Sequence, residues 1–189
     1  MDNEIKKDPD EIIKSHVIFS MTAGAIPIPL ADIAAVTAIQ VDMIKQLAQF
    51  YGADFDQNKG KTIVSAVTGA TAARIGASIV KSIPGVGTLI GIGMQMILSG
   101  ASTYALGHLF KNHFSKSGTM LNISLSIMKK SYDVLFKQGK KFARKIKGTM
   151  KKDDTIATIE KLKDLRRADL ITEEEFQKTK AKILAKMSE

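Results

Sequence analysis

Three short groups of residues in this 189-residue chain are of types that do chemistry in other proteins. Gly60-Lys61-Thr62 matches the end of a phosphate-binding loop, where backbone amides and a lysine cradle phosphate oxygens. The full pattern needs a glycine at position 55, where this chain has Phe55. No strand pattern precedes it, so the three residues read as a loop entering a helix. His108 and His113 are five apart, not the four that would place both on one helix face, and no Cys or carboxylate cluster joins them. The remaining histidine is His16, and all three read as polar or interfacial. Asp32, Gln40 and Asp42 form the third group. Asp32 reads as a helix cap and Gln40 as a buried hydrogen-bond partner between helices. No carboxylate pair stands beside a nucleophile, so no general acid–base set is present. The chain reads as non-enzymatic, without cofactor or metal.

The strongest chemical signal is charge. Residues 108–152 carry twelve Lys or Arg against one acid, Asp133, while the flanking stretches each hold eight basic and nine acidic residues. The net +9 is therefore one basic segment between two near-neutral ones. Such a local field seeks a polyanion: an anionic membrane surface, a nucleic acid or an acidic protein. The absence of Cys excludes a disulfide framework and fits a reducing compartment. The acidic N-terminus, MDNEIKKDPDEI, lacks the basic and apolar regions of a signal peptide. The expected location is the cytoplasmic face of the inner membrane, or the cytoplasm.

The elements that must position these residues are helices. Apolar residues recur at three and four, and no stretch alternates cleanly. The expected class is all-α: a helical bundle with a Gly-rich helical hairpin, a long basic amphipathic helix and a small C-terminal helix-turn-helix pair. A polar lead spans 1–10, a helical domain 11–117, the basic helix 118–152 and the C-terminal module 153–189. Asp10 is the expected N-cap of a helix from Glu11 to Gly24, which Pro27 and Pro29 stop. A second helix runs from Asp32 to Tyr51, with Gly52 at its C′ position. Residues 53–60 read as a polar loop. Ile83-Pro84-Gly85-Val86-Gly87 is the turn of the hairpin.

Glycines at 69 and 76, then at 93, 100 and 107, recur every seven residues. Each set lines one stripe of a helix and predicts close packing across the hairpin. Three placements stay open for this hairpin: across a bilayer, on its surface, or buried in a soluble assembly. Residues 83–110 are long enough to span ~30 Å, but Pro84 and six glycines weaken them as a free helix. Arg74 near mid-depth would cost about 2.5–3.5 kcal/mol. If the hairpin spans, both ends lie beside the basic segment, which the positive-inside rule places in the cytosol.

In the basic segment Leu121, Leu125, Met128, Tyr132, Leu135, Gly139, Phe142, Ile146 and Met150 form one mostly apolar seam. Lys129, Lys130, Lys137, Lys140, Lys141, Arg144, Lys145, Lys147, Lys151 and Lys152 lie largely off it and are the candidate anionic-surface residues. The seam itself fits an in-plane helix on anionic lipid, a nucleic-acid arm, or a body helix with a solvated lysine face. In the tail, Leu162 and Leu165 lie on one helix. Thr172 and Glu175 form a capping box for the next, with Phe176, Ile183 and Leu184 facing back. A pair this small either pairs with another copy or docks on the body.

Two resemblances follow from these motifs. Ile26-Pro27-Ile28-Pro29, then Asp32 to Gln40 with Met43-Ile44, Tyr51-Gly52, Ile83 to Thr88 and Thr103 to Gly107 resemble a helical domain of unknown function. It is number 697 in its series and is also found at the end of bacterial Era-like GTPases. The resemblance covers 12–114 and marks Pro27, Pro29, Asp32, Gln40, Pro84, Gly85 and Gly87. It implies an all-helical, membrane-associated bacterial module with no catalytic residues to transfer. It also raises a GTPase partner in trans. Residues 155–187, with Ile159 to Leu162, Leu165, Leu170-Ile171-Thr172, Glu175-Phe176 and Lys180 to Leu184, are similar to the short C-terminal domain called SHOCT. That similarity implies oligomerisation through Leu162, Leu165, Ile171, Phe176, Ile183 and Leu184. Asp169 stands where that domain has a turn glycine. The expected function is a membrane-associated protein that self-assembles and binds or organises an anionic surface. The alternatives are a soluble self-assembling scaffold for an acidic partner or cargo, and a nucleic-acid-binding accessory protein.

Overall fold

A computed structural model describes the backbone of residues 8–25, 31–80 and 87–187, and side chains of 8–25, 34–69 and 93–186. Among the described residues there are seven helices and no strand, as the three-and-four periodicity requires. They are α1 (Pro9–Ala23), α2 (Ala31–Tyr51), α3 (Gln57–Val80), α4 (Gly87–Phe114), α5 (Leu125–Lys147), α6 (Lys152–Arg167) and α7 (Glu173–Met187).

Local chemistry accounts for most boundaries. α1 starts at Pro9 with Asp8 at the N-cap, not at Glu11 with Asp10 as cap. A proline suits the first helical position, where the amide it lacks has no acceptor. Asp10 instead pairs with Lys111 at 2.6 Å. α2 ends where Gly52 adopts φ +69°, as the C′ reading expects. The loop that follows is shorter than 53–60. The Asp56 carboxylate accepts from the Lys59 amide at 2.8 Å and opens α3 at Gln57. Gly60-Lys61-Thr62 therefore lies inside a helix, with the Thr62 hydroxyl donating to the Asn58 carbonyl. The Thr172–Glu175 box forms in both directions, at 2.8 and 3.2 Å.

Two apolar clusters hold the fold. The larger joins α1, α2, the first half of α3, α4 and α5 through residues such as Ile13, Ile44, Val64, Leu106, Phe110 and Tyr132. The smaller joins the C-terminal helices to the body through Ala23, Ala35, Ala38 and Ile39 on one side and Leu162, Leu165, Ile171, Phe176 and Ile183 on the other. α1 lies between them and touches both sets.

The glycine stripe of α4 packs differently from the hairpin expectation. A Cβ at Gly100 would lie 2.5 Å from Met21 Cγ and 3.3 Å from Ala143 Cβ. One at Gly107 would lie 2.8 Å from Ile13 Cγ1 and 3.1 Å from Met43 Sδ. One at Gly93 would meet the Lys147 ammonium at 2.7 Å. The stripe thus admits α1, α2 and α5, while Gly69 on α3 is exposed with nothing within 4 Å. The hairpin turn and the side-chain surroundings of Gly76 and Arg74 lie outside the described residues. A seven-residue repeat fixes which face of α4 is narrow. It does not name the helix that fills it, and α5 supplies Gly139 and Ala143 for that purpose.

A polar chain crosses the larger core. Gln40 on α2, only 3% exposed, donates to Ser102 and Thr103 on α4, both at 3.1 Å. Ser20 of α1 lies 2.8 Å from Thr103, and the Tyr132 hydroxyl of α5 donates to Ser102 at 2.8 Å. Burial pushes the Tyr132 phenol up to about 12, against the pull of Ser102, so it remains a donor. Gln40 is thus the interhelical hydrogen-bond partner that the sequence suggests. The network fixes the register of four helices, because a shifted register would leave buried polar groups unpaired.

Candidate anionic-surface interface

α5 has an inner and an outer face. The buried line is Met128, Tyr132, Phe136, Gly139, Ala143 and Ile146. Leu135, Phe142 and Met150 are half-buried at its edge, and Phe142 stacks on Tyr104 with ring centroids 5.0 Å apart. The seam is therefore real but rotated, so that it takes in Phe136 and Ala143. Leu121 (81% exposed) does not join it, and Leu125 is 38% exposed. The seam presses onto α4 so closely that a Cβ at Gly139 would lie 2.7 Å from the Ala101 carbonyl oxygen. Of the three readings of this seam, the packing matches the body helix with a solvated lysine face, because the body occupies the apolar side.

The cations point the other way. Lys129, Lys130, Lys137, Lys141, Arg144, Lys145, Lys147, Lys151 and Lys152 are exposed. Lys140 is half-buried, its ammonium 5.7 Å from the centroid of the Phe136 ring. Residues 127, 130, 134, 137 and 141 alternate by three and four, so they share the outward stripe. That stripe reads Ile, Lys, Val, Lys, Lys, and both Ile127 (66%) and Val134 (58%) are exposed. This second three-and-four alternation is the sequence signal that places these two residues on the outward face. Beside the start of α5 lies an open groove of about 360 Å³, lined by Ile63, Met120, Ile123 and Leu125 with Lys59 among its polar residues.

The oligomerisation candidates are placed on the chain's own body. Leu162, Leu165, Ile171, Phe176 and Ile183 are buried in the smaller core, and Leu184 alone is exposed, at 43%. Of the two routes open to so small a pair, the structure takes docking in cis. A charged node missed in the sequence reinforces it. Asp42 Oδ2 accepts from His16 Nε2 at 2.9 Å, Gln46 at 2.8 Å and Lys161 of α6 at 2.8 Å. Burial pushes the Asp42 carboxyl up. The His16 hydrogen bond and the Lys161 charge outweigh it and hold the group well below the ordinary carboxylate range. The spacing of 119 residues between Asp42 and Lys161 leaves no local sequence signal for the pair.

The remaining candidates resolve simply. His108 packs against Tyr104 with ring centroids 4.3 Å apart, and His113 Nε2 bonds the Thr119 carbonyl at 2.9 Å. Among the described residues no three His, Cys, Asp or Glu gather as a metal site. Pro27, Pro29, Pro84 and Gly85 lie outside the described residues, as do the side-chain surroundings of Asp32 and Gly87. Among the described residues no helix is long and apolar enough to cross a membrane.

Residues 5–141 match the domain of unknown function 697 (DUF697), and residues 157–184 match the short C-terminal domain SHOCT. The chain is 34% identical over 143 residues to "Magnetosome membrane protein 22" of Magnetospirillum gryphiswaldense, covering 73% of each chain. No solved structure matches it. The family match spans well over half of the sequence, from the first helix into the basic one, and the chain belongs to the DUF697 family.

Proposed function

We propose that this chain is a non-enzymatic, peripheral membrane-associated protein whose outward α5 face binds an anionic lipid surface. The observation that carries this reading is the exposed row of Lys and Arg on a helix whose opposite face is locked into the body. A rigid helix holds these charges in one direction, so they act together on a flat anionic surface, each contributing about 1 kcal/mol near it. Support also comes from the relative, which is named a membrane protein of the magnetosome. The body buries its own apolar seam, so attachment is electrostatic first and needs no spanning helix.

Self-assembly belongs to the same reading. The C-terminal module resembles one tied to oligomerisation, and its apolar face is occupied in cis. Pairing with a second copy then proceeds by exchange: the module of one chain takes the place of the other's on α1 and α2. The low cost of exchanging identical contacts supports this route.

The test is charge reversal on the outward stripe. Lys130, Lys137, Lys141 and Lys145 are all exposed, so replacing them with Glu leaves the core intact. Removing four contacts of about 1 kcal/mol each, before any repulsion, lowers vesicle affinity by roughly a thousandfold. Flotation with phosphatidylglycerol vesicles reads this directly. Unchanged binding by the folded variant overturns the assignment of the face.

A further inference from the structure

We infer that the start of α5 and the turn before it form a shallow lipid-insertion element, with Leu121, Ile127 and Val134 entering the acyl boundary of an anionic bilayer. The inference deepens the membrane reading and rests on it.

Of the seven large apolar side chains exposed among the described residues, Ile127 and Val134 share the outward stripe of α5, and Leu121 lies in the turn before it. Aliphatic side chains scattered singly over a surface carry no message, but a cluster does. Leu125 belongs to the inward side, where it lines the open groove with Met120, Ile123 and Ile63, so the outward apolar pair of α5 is Ile127 and Val134. The cluster is framed by cations. Lys129 and Lys130 lie between Ile127 and Val134 in sequence, and Lys137 follows one turn on.

This combination selects the occupant. A soluble acidic protein would match the lysines but would need an apolar groove placed against Ile127 and Val134, whereas a bilayer has hydrocarbon beneath every headgroup. An anionic bilayer offers both at the right depths: phosphates at the level of the ammonium groups and hydrocarbon a few ångströms beneath. Long lysine stems let the charged ends stay in the headgroup layer while the shorter Ile and Val side chains go deeper. The stripe is also graded. Its N-terminal part, with Ile127 and Val134, is mixed, and beyond Lys137 it is basic only. α5 then meets the surface with its first turns inserted and its last turns resting on headgroups.

The chain has no tryptophan, so a single introduced one reports its own surroundings. Ile127→Trp and Val134→Trp are placed on exposed positions, and Ile156→Trp on α6, 48% exposed, serves as reference. The probe is a phosphatidylglycerol-containing vesicle with bromine at a shallow acyl position. On binding, the two α5 variants shift to shorter emission wavelength and lose at least half of their intensity, while Ile156→Trp does not. The double variant Ile127→Ser/Val134→Ser binds the same vesicles roughly tenfold more weakly. Vesicle binding by flotation without quenching at either α5 position overturns the insertion element and leaves headgroup capture standing. Failure to bind vesicles at all, or binding only to soluble polyglutamate, overturns both.

Discussion

Replacing Gly139 with Ala tests whether α5 is locked onto α4, and hence which of its faces is free. A Cβ at this position would lie 2.7 Å from the Ala101 carbonyl oxygen, 2.9 Å from Ala101 Cα and 3.1 Å from Tyr104 Cβ. Two of these three atoms are backbone, which cannot rotate aside, so the helices must part. Overpacking of this kind costs about 1–3 kcal/mol. Against it, Ala gains about 1 kcal/mol over Gly in helix propensity. Gly69→Ala provides the control, because a Cβ there meets nothing within 4 Å and the propensity gain stands alone. The gain is common to both variants, so their difference isolates the steric cost. At a central value of about 2 kcal/mol, Gly139→Ala melts about 4–8 °C below Gly69→Ala in a chain of this size. Differential scanning calorimetry or circular dichroism measures it. Equal melting temperatures would refute the α4–α5 packing. They would also return the Met128–Ile146 seam to the list of faces available to lipid.

Three further outcomes follow from the geometry. The Asp42 carboxyl is held below its ordinary value of 3.8, so its contribution is complete above that value and declines as pH falls through and below it. Asp42→Asn should lower stability by about 3 kcal/mol near neutral pH, with the gap to wild type narrowing below pH 4; a gap independent of pH contradicts the node. Asp169 sits at φ +54°, the left-handed region, so Asp169→Gly should stabilise the α6–α7 turn by up to about 1 kcal/mol in denaturant unfolding. Module exchange predicts that Asp42→Cys and Lys161→Cys chains, mixed and treated with a short bismaleimide, give a cross-linked dimer; the chain has no cysteine of its own, so only monomer would exclude exchange.

Capping chemistry made several boundaries legible in the sequence. Gly52 ends α2 and Thr172 with Glu175 opens α7 because those residues satisfy orphan backbone groups locally. Gln40 was legible as a buried bridge because a lone amide on an apolar face must find a partner. Periodicity went only so far. It located the α4 glycine stripe and the α5 seam, but it reports which face is inward and not what covers it. Among the described residues, the α4 glycines meet α1, α2 and α5. The Asp42–Lys161 contact and the cis docking of Leu162 and Leu165 depend on tertiary placement over more than a hundred residues. Ile127 and Val134 were hidden by their company: an aliphatic residue among lysines reads as part of a solvated face until its exposure is known.

On the function proposed above, a fixed cationic face attaches this chain to membranes. Flotation of the wild-type protein with vesicles of graded phosphatidylglycerol content, at two salt concentrations, measures it most directly. Electrostatic capture gives binding that rises steeply with anionic fraction, is absent on phosphatidylcholine alone and is released by high salt. Binding that ignores lipid charge and survives high salt would contradict it.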